Sequence, residues 1–210
     1  MKKIKPNETP LAQIKEFKMK KILLIILFIT GVCFAQKYEG MEFYPNGKLK
    51  SIKTYKESND KFELIKSISV YENGQKQDEG TYKDGIKNGE WTGWYENGQK
   101  KIEETYKDGK EDGLLTSWYE NGQKFLERTY KDGKADGLLT QWHANGQKSG
   151  EITYKDGKMD GVFNGWYDNG QKKEEETYKD GVLDGLEAYW YENGQKKYEG
   201  THKNGKRDGL

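Results

Sequence analysis

The residues of this chain that could do acid–base chemistry are two histidines and a set of carboxylates. His143 and His202 each stand where equivalent segments of the chain carry tyrosine, so we interpret both as aromatic-for-aromatic substitutions. Neither lies near a cysteine nucleophile or a distinct serine and aspartate pattern, as nucleophilic catalysis would require. The sequence therefore offers no catalytic residue, and it predicts a protein that is not an enzyme.

Carboxylates recur in pairs, for example Asp108 with Asp112 and Glu103 with Glu104. Aspartate before glycine is favoured in turns, because its side chain bonds to nearby backbone N–H groups. A calcium ion needs roughly six to eight oxygen ligands. The segment 107–113 offers two aspartates with lysine between them, and it lacks the spacing of an EF-hand loop. We expect neither a metal site nor a cofactor.

The same carboxylates return at a fixed interval, which indicates a repeat protein. A turn signal of the form Tyr-Glu-Asn-Gly begins at Tyr71 and recurs every 24 residues, and a second signal, Thr-Tyr-Lys-Asp-Gly, begins at Thr81. A first unit around Tyr44 is degenerate, as capping units of repeat proteins often are. An active site is normally a unique departure from regularity, so these residues are interpreted as parts of a building unit.

The composition favours many small contacts over one deep core. Hydrophobic residues make up 32% of the chain and charged residues 34%, yet it contains 15 Tyr, 6 Trp and 26 Gly. Regularly spaced glycines and abundant aromatics argue against disorder, which a mean hydropathy of -1.13 would otherwise suggest. The net charge of +1, with lysine and glutamate interleaved, gives no reason to expect a nucleic-acid partner.

The turn signals predict an all-β protein. Asn-Gly between polar and aromatic runs, as at Asn97-Gly98, typically forms a type I′ hairpin turn, and Asp108-Gly109 marks the next reversal. Each unit would be two strands and two turns, and the chain an elongated antiparallel meander of hairpins in a single twisted or coiled sheet, with about 13 or 14 strands. Strict pairing about the first turn would set Trp94 opposite Lys101 and Tyr95 opposite Lys100, with Trp94 and Tyr106 on opposite faces. Either both faces are then partly covered, or a bulge shifts the register.

Three columns of identical residues should run along this sheet and hold it together. Aromatic residues in them are expected to stack between neighbouring strands. The tryptophan column is Trp94, Trp118, Trp142, Trp166 and Trp190. The tyrosine column is Tyr82, Tyr106, Tyr130, Tyr154 and Tyr178. The glycine column at the Asn-Gly turns is Gly98, Gly122, Gly146, Gly170 and Gly194.

The N-terminal segment has the pattern of an export signal. Residues 1–35 combine basic residues, the apolar run 22–29 and small residues near the end, which is typical of a cleaved signal peptide. Met19 is a candidate true start, and Cys33 leaves a lipoprotein anchor as an alternative. Residues 36–70 would then form the degenerate capping unit and 71–210 the 24-residue units. We expect the protein to be exported, and to be periplasmic, outer-membrane-associated or secreted.

The recurring sequence motifs Tyr-Glu-Asn-Gly-Gln-Lys and Tyr-Lys-Asp-Gly-Lys-x-Asp-Gly resemble MORN repeats of the bacterial variant type. The resemblance covers roughly residues 38 to 210, and proteins of this type are often grouped with the YwqK-type antitoxin family. It implies a protein that binds and neutralises a toxin. An export signal is a departure from a cytoplasmic toxin–antitoxin role. The resemblance also links such repeats to membranes, but here we expect membrane contact only through the export signal.

Variation between units predicts where a partner would bind. The positions after the Asp-Gly turns carry apolar residues that differ from unit to unit, and the candidates for contact with a protein partner are Leu114, Leu138, Val162 and Phe163. A long repeated surface suits protein binding. Binding of cell-envelope glycan is the alternative, because tryptophan and tyrosine side chains can stack on sugars. Exposed tryptophans would favour glycan, and buried ones would count against it.

Overall fold

The computed structural model describes residues 37–58 and 61–208, so the predicted signal peptide, Met19 and Cys33 lie outside the described residues. All regular structure in this part is β, and no helix long and apolar enough to cross a membrane occurs there. Its seventeen strand segments are β1 Lys37–Phe43, β2 Leu49–Ser58, β3 Lys61–Val70, β4 Lys76–Lys83, β5 Ile86–Trp94, β6 Lys100–Lys107, β7 Lys110–Glu111, β8 Gly113–Trp118, β9 Lys124–Lys131, β10 Lys134–Trp142, β11 Lys148–Lys155, β12 Lys158–Met159, β13 Gly161–Trp166, β14 Lys172–Lys179, β15 Val182–Trp190, β16 Lys196–Lys203 and β17 Lys206–Arg207.

The strands form one open antiparallel sheet of successive hairpins, in which consecutive strands pair except where a strand is interrupted, so the predicted fold class is confirmed. The number of segments exceeds the prediction partly because Asp112 and Asp160 interrupt two strands. As a result β6 pairs with both β7 and β8, and β11 pairs with both β12 and β13. In the first unit, where the usual loop is replaced, β2 and β3 pair antiparallel from Ser51 opposite Ser69 to Ser58 opposite Lys61.

The two kinds of turn differ in type, and one of them differs from the prediction. At the Asp-Gly turns both residues have positive φ (52° at Asp84 and 78° at Gly85), as a type I′ turn requires. At the Asn-Gly turns only the glycine does, for example 84° at Gly98. The Gly98 N–H donates to the Tyr95 carbonyl and the Tyr95 N–H to that of Gln99, which is a type I turn followed by a G1 bulge.

This bulge changes the predicted strand register at the first residue pair after the turn. Trp94 lies opposite Lys100 and not Lys101, and a second irregularity, between Gly93 and Trp94, restores the predicted register from Gly93 opposite Ile102 onward. The Asn97 side chain explains the preference for this turn, since its Oδ1 accepts a hydrogen bond from the Gln99 N–H at 2.9 Å. The amide therefore stabilises a turn in which asparagine keeps negative φ and glycine alone takes the left-handed conformation.

The sheet has two different faces, because side chains alternate along every strand. We call them the tyrosine face, which carries Tyr106 and its equivalents, and the tryptophan face, which carries Trp94 and its equivalents. On the tyrosine face the rings of Tyr82 and Tyr106 contact the indole of Trp91 at 5.3 and 6.2 Å between centroids. Buried side chains are spread along the sheet, and the most enclosed include Leu139 and Ile152, which lie opposite each other.

The aromatic rings within a column do not stack directly on one another, so the expectation of direct stacking between equivalent residues was wrong. Equivalent strands are two strands apart, or about 10 Å, so another side chain lies between successive rings. Trp91 fills this place between Tyr82 and Tyr106, and the Arg128 guanidinium lies 5.7 Å from the ring centre of Tyr130 and 5.1 Å from that of Tyr154. The columns therefore stabilise the sheet through intervening aromatic and cationic side chains.

Candidate functional site

The most regular residues of the unit bind the neighbouring unit. The hydroxyl of Tyr95 donates to the backbone carbonyl of Trp118 at 2.7 Å, and the Asn97 amide donates to that of Glu120 at 3.0 Å. Equivalent tyrosine bonds join Tyr71 to Trp94 and Tyr119 to Trp142. Since these contacts satisfy backbone groups of the next unit, the consensus residues at the Asn-Gly edge hold the array together.

The Asp-Gly edge makes the reverse connection, toward the preceding unit. The Gly133 N–H donates to the Glu111 carbonyl at 2.8 Å, and the Asp132 N–H lies 3.3 Å from a carboxylate oxygen of Asp112. Asp136 and Asp160 accept equivalent bonds in later units. The second aspartate of the repeated loop is therefore a turn acceptor. In residues 37–58 and 61–208, no group of three or more His, Cys, Asp or Glu side chains is arranged to hold a metal ion.

The two histidines occupy the places of tyrosines, as the sequence indicated. His143 Nε2 lies 2.9 Å from the Trp166 carbonyl, so this nitrogen donates the bond that a tyrosine hydroxyl donates in other units. His202 lies opposite Arg207 and Gly185, with its Nδ1 3.5 Å from a carboxylate oxygen of Glu187. Both imidazoles are parts of the repeated framework.

Lysines of the preceding unit cover several rings of the tryptophan column. The Lys100 ammonium lies 5.8 Å from the ring centre of Trp118, and the Lys124 ammonium lies 5.6 Å from that of Trp142. Each of these lysines also forms an ion pair with the glutamate three residues later. Such exposed pairs stabilise a fold by at most about 1 kcal/mol each, but they leave these indoles flanked by charged side chains and half-buried.

A row of apolar side chains crosses the tryptophan face. Leu114, Leu138 and Val162 are 53%, 50% and 45% exposed, and they lie on successive equivalent strands. Each faces a threonine across the strand pair: Thr129, Thr153 and Thr177. We call these three apolar residues the apolar stripe. Exposed apolar patches commonly mark interaction surfaces, so the stripe is a candidate contact surface.

Phe163 does not belong to this stripe. It follows Val162 directly in β13, so its side chain points to the opposite, tyrosine face, where it is half-buried and lies opposite Glu176. The structure therefore brings three of the four predicted contact residues together and separates the fourth. Period-two alternation along the strand could have revealed this separation from the sequence.

Burial raises the pKa of two tyrosines on the tyrosine face, Tyr106 and Tyr178. Burial, and after it the Glu104 carboxylate, raises the pKa of Tyr106 well above its usual range. Burial and a hydrogen bond to Glu176 do the same for Tyr178. The hydroxyls of Tyr106 and Tyr178 therefore stay neutral, and they donate hydrogen bonds to Glu104 and Glu176.

This shift predicts a loss of stability at alkaline pH. Because the pKa of Tyr106 is higher in the folded protein than in the unfolded chain, its contribution is fully present below pH about 10 and falls as the pH rises further. We expect the free energy of unfolding to fall less steeply above this pH in Tyr106→Phe than in the wild type, measured by denaturant unfolding across an alkaline series. Equal slopes in the two proteins would contradict the assignment. Tyr191→Phe, at a half-exposed ring, is the matched control.

These features together define a repeat protein, a linear array of hairpins in which each unit bonds only to its neighbours and displays side chains on two broad faces. The comparison with protein families gives the same class. The chain belongs to the MORN repeat variant family, whose model matches residues 39–57, 66–84, 87–108, 111–132, 135–156, 159–180 and 183–204. No curated protein matches this sequence.

Proposed function

We propose that this protein is an exported, non-enzymatic binding module whose partner is another protein. The observation that carries the proposal is the apolar stripe, three exposed aliphatic side chains in line on one face of the sheet. Successive members are about 10 Å apart, since they lie two strands apart. A partner segment lying across the strands would contact all three at once.

The framework of the repeat supports a role in binding rather than catalysis. The consensus tyrosine, asparagine and aspartate side chains are engaged by backbone groups of adjacent units. The side chains that vary between units include Leu114, Leu138 and Val162, so the varying positions and the exposed apolar positions coincide. A protein partner fits this surface better than glycan, because lysines flank several of the tryptophans on the same face.

The finer proposal is an antitoxin-like or immunity-like role, in which the bound protein is a toxin that the array neutralises. It rests on the resemblance to YwqK-type antitoxins. The basic and apolar pattern of residues 1–35 supports export, and an exported array would meet its partner in the periplasm, at the outer membrane or outside the cell.

The test is in-cell photo-crosslinking from Leu138 in the native host, with mass spectrometry of the captured product. We expect one dominant protein to be captured. When the crosslinker is placed at Val162 instead, adding Leu138→Asp should reduce capture of that protein about tenfold or more, because a charge would be buried against apolar surface. Lys131→Asp, which places a carboxylate at the exposed last residue of β9, is the control and should leave capture within about twofold. Capture of no protein, with retention of the chain on purified envelope polysaccharide, would reject the proposal in favour of glycan binding.

A further inference from the structure

One place on the tyrosine face departs from the regular unit. Gly150 of β11 and Gly165 of β13 lie directly opposite each other across the strand pair. Residues equivalent to Gly150 in other units are Ile102, Leu126, Glu174 and Tyr198, and those equivalent to Gly165 include Ser117, Gln141 and Tyr189. Neither glycine is among the residues with positive φ, so backbone conformation does not require them. Glycine inside a strand often marks close approach of another group.

Beside this glycine pair, at the Asn-Gly edge of the face, lies an open cavity with a volume of about 500 Å³, lined by side chains that lie over the two glycines. Its walls include Gln141 from β10 and Glu174 from β14, the strands on either side of the glycine pair. A Cβ on Gly150 would lie 3.3 Å from Gln141 Oε1 and 3.4 Å from the edge of the Phe163 ring, and one on Gly165 would lie 2.7 Å from Glu174 Oε1. The cavity is therefore bordered by two side-chain oxygens and one aromatic ring.

The charge of this cavity is negative. It is lined by three carboxylates, those of Asp168, Glu174 and Glu192, and by one ammonium group, that of Lys173. The Lys173 ammonium nitrogen lies 3.5 Å from a carboxylate oxygen of Glu174. Within the described residues, the side chains of Asp168 and Glu192 have no ion-pair partner. The cavity thus has an excess of anionic groups that could accept hydrogen bonds from a cation.

Two of the hydrogen-bond donors in the wall are already engaged. The Tyr167 hydroxyl donates to the Trp190 carbonyl at 2.8 Å, and His143 Nε2 donates to that of Trp166 at 2.9 Å. The wall therefore favours a ligand that brings donors of its own. A guanidinium group carries five N–H donors and no acceptor, and its planar form matches carboxylate oxygens in pairs.

We propose that this cavity, here called the glycine cavity, binds an arginine side chain of the protein partner. The apolar stem of the arginine lies along the edge of Phe163, and its guanidinium reaches Glu174 and the rim carboxylates. The proposal rests on the proposed protein-binding function and adds a second contact on the face opposite the apolar stripe. Affinity at this site should fall as salt concentration rises, because the rim is exposed.

The test is a titration of the whole isotope-labelled chain with the peptide acetyl-Gly-Arg-Gly-amide, followed by NMR shifts of the Gly150 and Gly165 amides. The matched probe replaces arginine by citrulline, which has nearly the same shape and no charge. Saturable shifts at these two amides with the arginine peptide, and at least tenfold weaker binding of the citrulline peptide, are expected. Equal binding of the two peptides, or no shift at millimolar arginine peptide, would overturn the proposal.

Variants separate the cavity from the rest of the array. Glu174→Gln should weaken arginine-peptide binding about tenfold, the usual effect of losing one charge-assisted hydrogen bond. Gly150→Leu should abolish it by filling the cavity with the residue found at the equivalent Leu126. Glu120→Gln removes one charge at the position equivalent to Asp168, two units away, and should leave binding within twofold. Should Gly150→Leu fail to fold, Asp168→Asn at the exposed rim tests the same prediction.

The outcome is separable from that of the protein-binding proposal. Crosslinking from Leu138 reports on the apolar stripe alone, and the peptide titration reports on the glycine cavity alone. A captured partner with no arginine binding overturns only the inference about the cavity. Arginine binding with no captured partner supports the chemistry of the cavity and counts against the stripe.

Discussion

Replacing Leu139 with alanine is expected to lower the free energy of unfolding by about 2–4 kcal/mol, the usual cost of emptying a buried leucine site. Leu139 is only 4% exposed, and it lies on the tyrosine face opposite Ile152, which is 2% exposed. With so few aliphatic residues, the sheet has little apolar material that could close the space. The loss should therefore be a large part of the total stability.

The neighbouring residue provides a matched control. Leu138 has the same chemistry and lies in the same strand, but its side chain is half-exposed on the opposite face. Leu138→Ala should change the free energy of unfolding by no more than about 0.5 kcal/mol, while reducing capture of the partner. Denaturant unfolding of both variants, alongside crosslinking from Val162, checks the pair of effects. Equal destabilisation by the two substitutions would show that the faces are wrongly assigned.

Replacing Gly80 with alanine is expected to destabilise the protein by about 2–3 kcal/mol, because the added methyl group would overlap the indole of Trp91. Gly80 is buried opposite Trp91, whose Nε1 donates to the Thr81 carbonyl at 3.1 Å. Trp91 also contacts Tyr82 and Tyr106, and the Lys87 ammonium lies 4.0 Å from its ring centre. Displacing the indole would disturb all of these contacts together.

Two further variants test this mechanism. Gly40→Ala is the control, since its Cβ would meet the Tyr55 ring at an ordinary 3.6 Å and its backbone is not left-handed; its unfolding midpoint should stay close to that of the wild type. In the background of Trp91→Leu, the cost of Gly80→Ala should shrink, because the smaller side chain leaves room for the methyl group. Strict additivity of the two changes in denaturant unfolding would argue against a direct clash.

The fold was predictable because its main signals are local. Asp-Gly and Asn-Gly mark reversals wherever they occur, and their spacing defines strand length without knowledge of distant contacts. The error lay in the type of turn at Asn97-Gly98. Asparagine tolerates positive φ, but here its side chain bonds to the Gln99 N–H and holds a different turn. That turn has one more residue in its loop than the predicted one, so Trp94 lies opposite Lys100 and not Lys101, while the pairs from Gly93 onward keep the predicted register.

The candidate contact surfaces were only partly predictable, for a related reason. Unit-to-unit variation identified Leu114, Leu138 and Val162, but exposure depends on which face a residue occupies, and this follows from register. The pairing of Gly150 with Gly165 was not foreseen, because they are 15 residues apart and are brought opposite each other by the interruption of the strand at Asp160. Sequence spacing alone does not reveal such a pair.

The tyrosine and asparagine side chains at the Asn-Gly edge bond to groups 23 residues ahead, and the glycine N–H groups at the Asp-Gly edge bond to groups 22 residues behind. A duplication or deletion of 24 codons in the gene would therefore preserve both types of bond between units, wherever the breakpoint falls within a unit. Insertions of other lengths would break the pattern. Evolution can lengthen such a protein in whole steps, and each step adds a strip of recognition surface that is free to diverge.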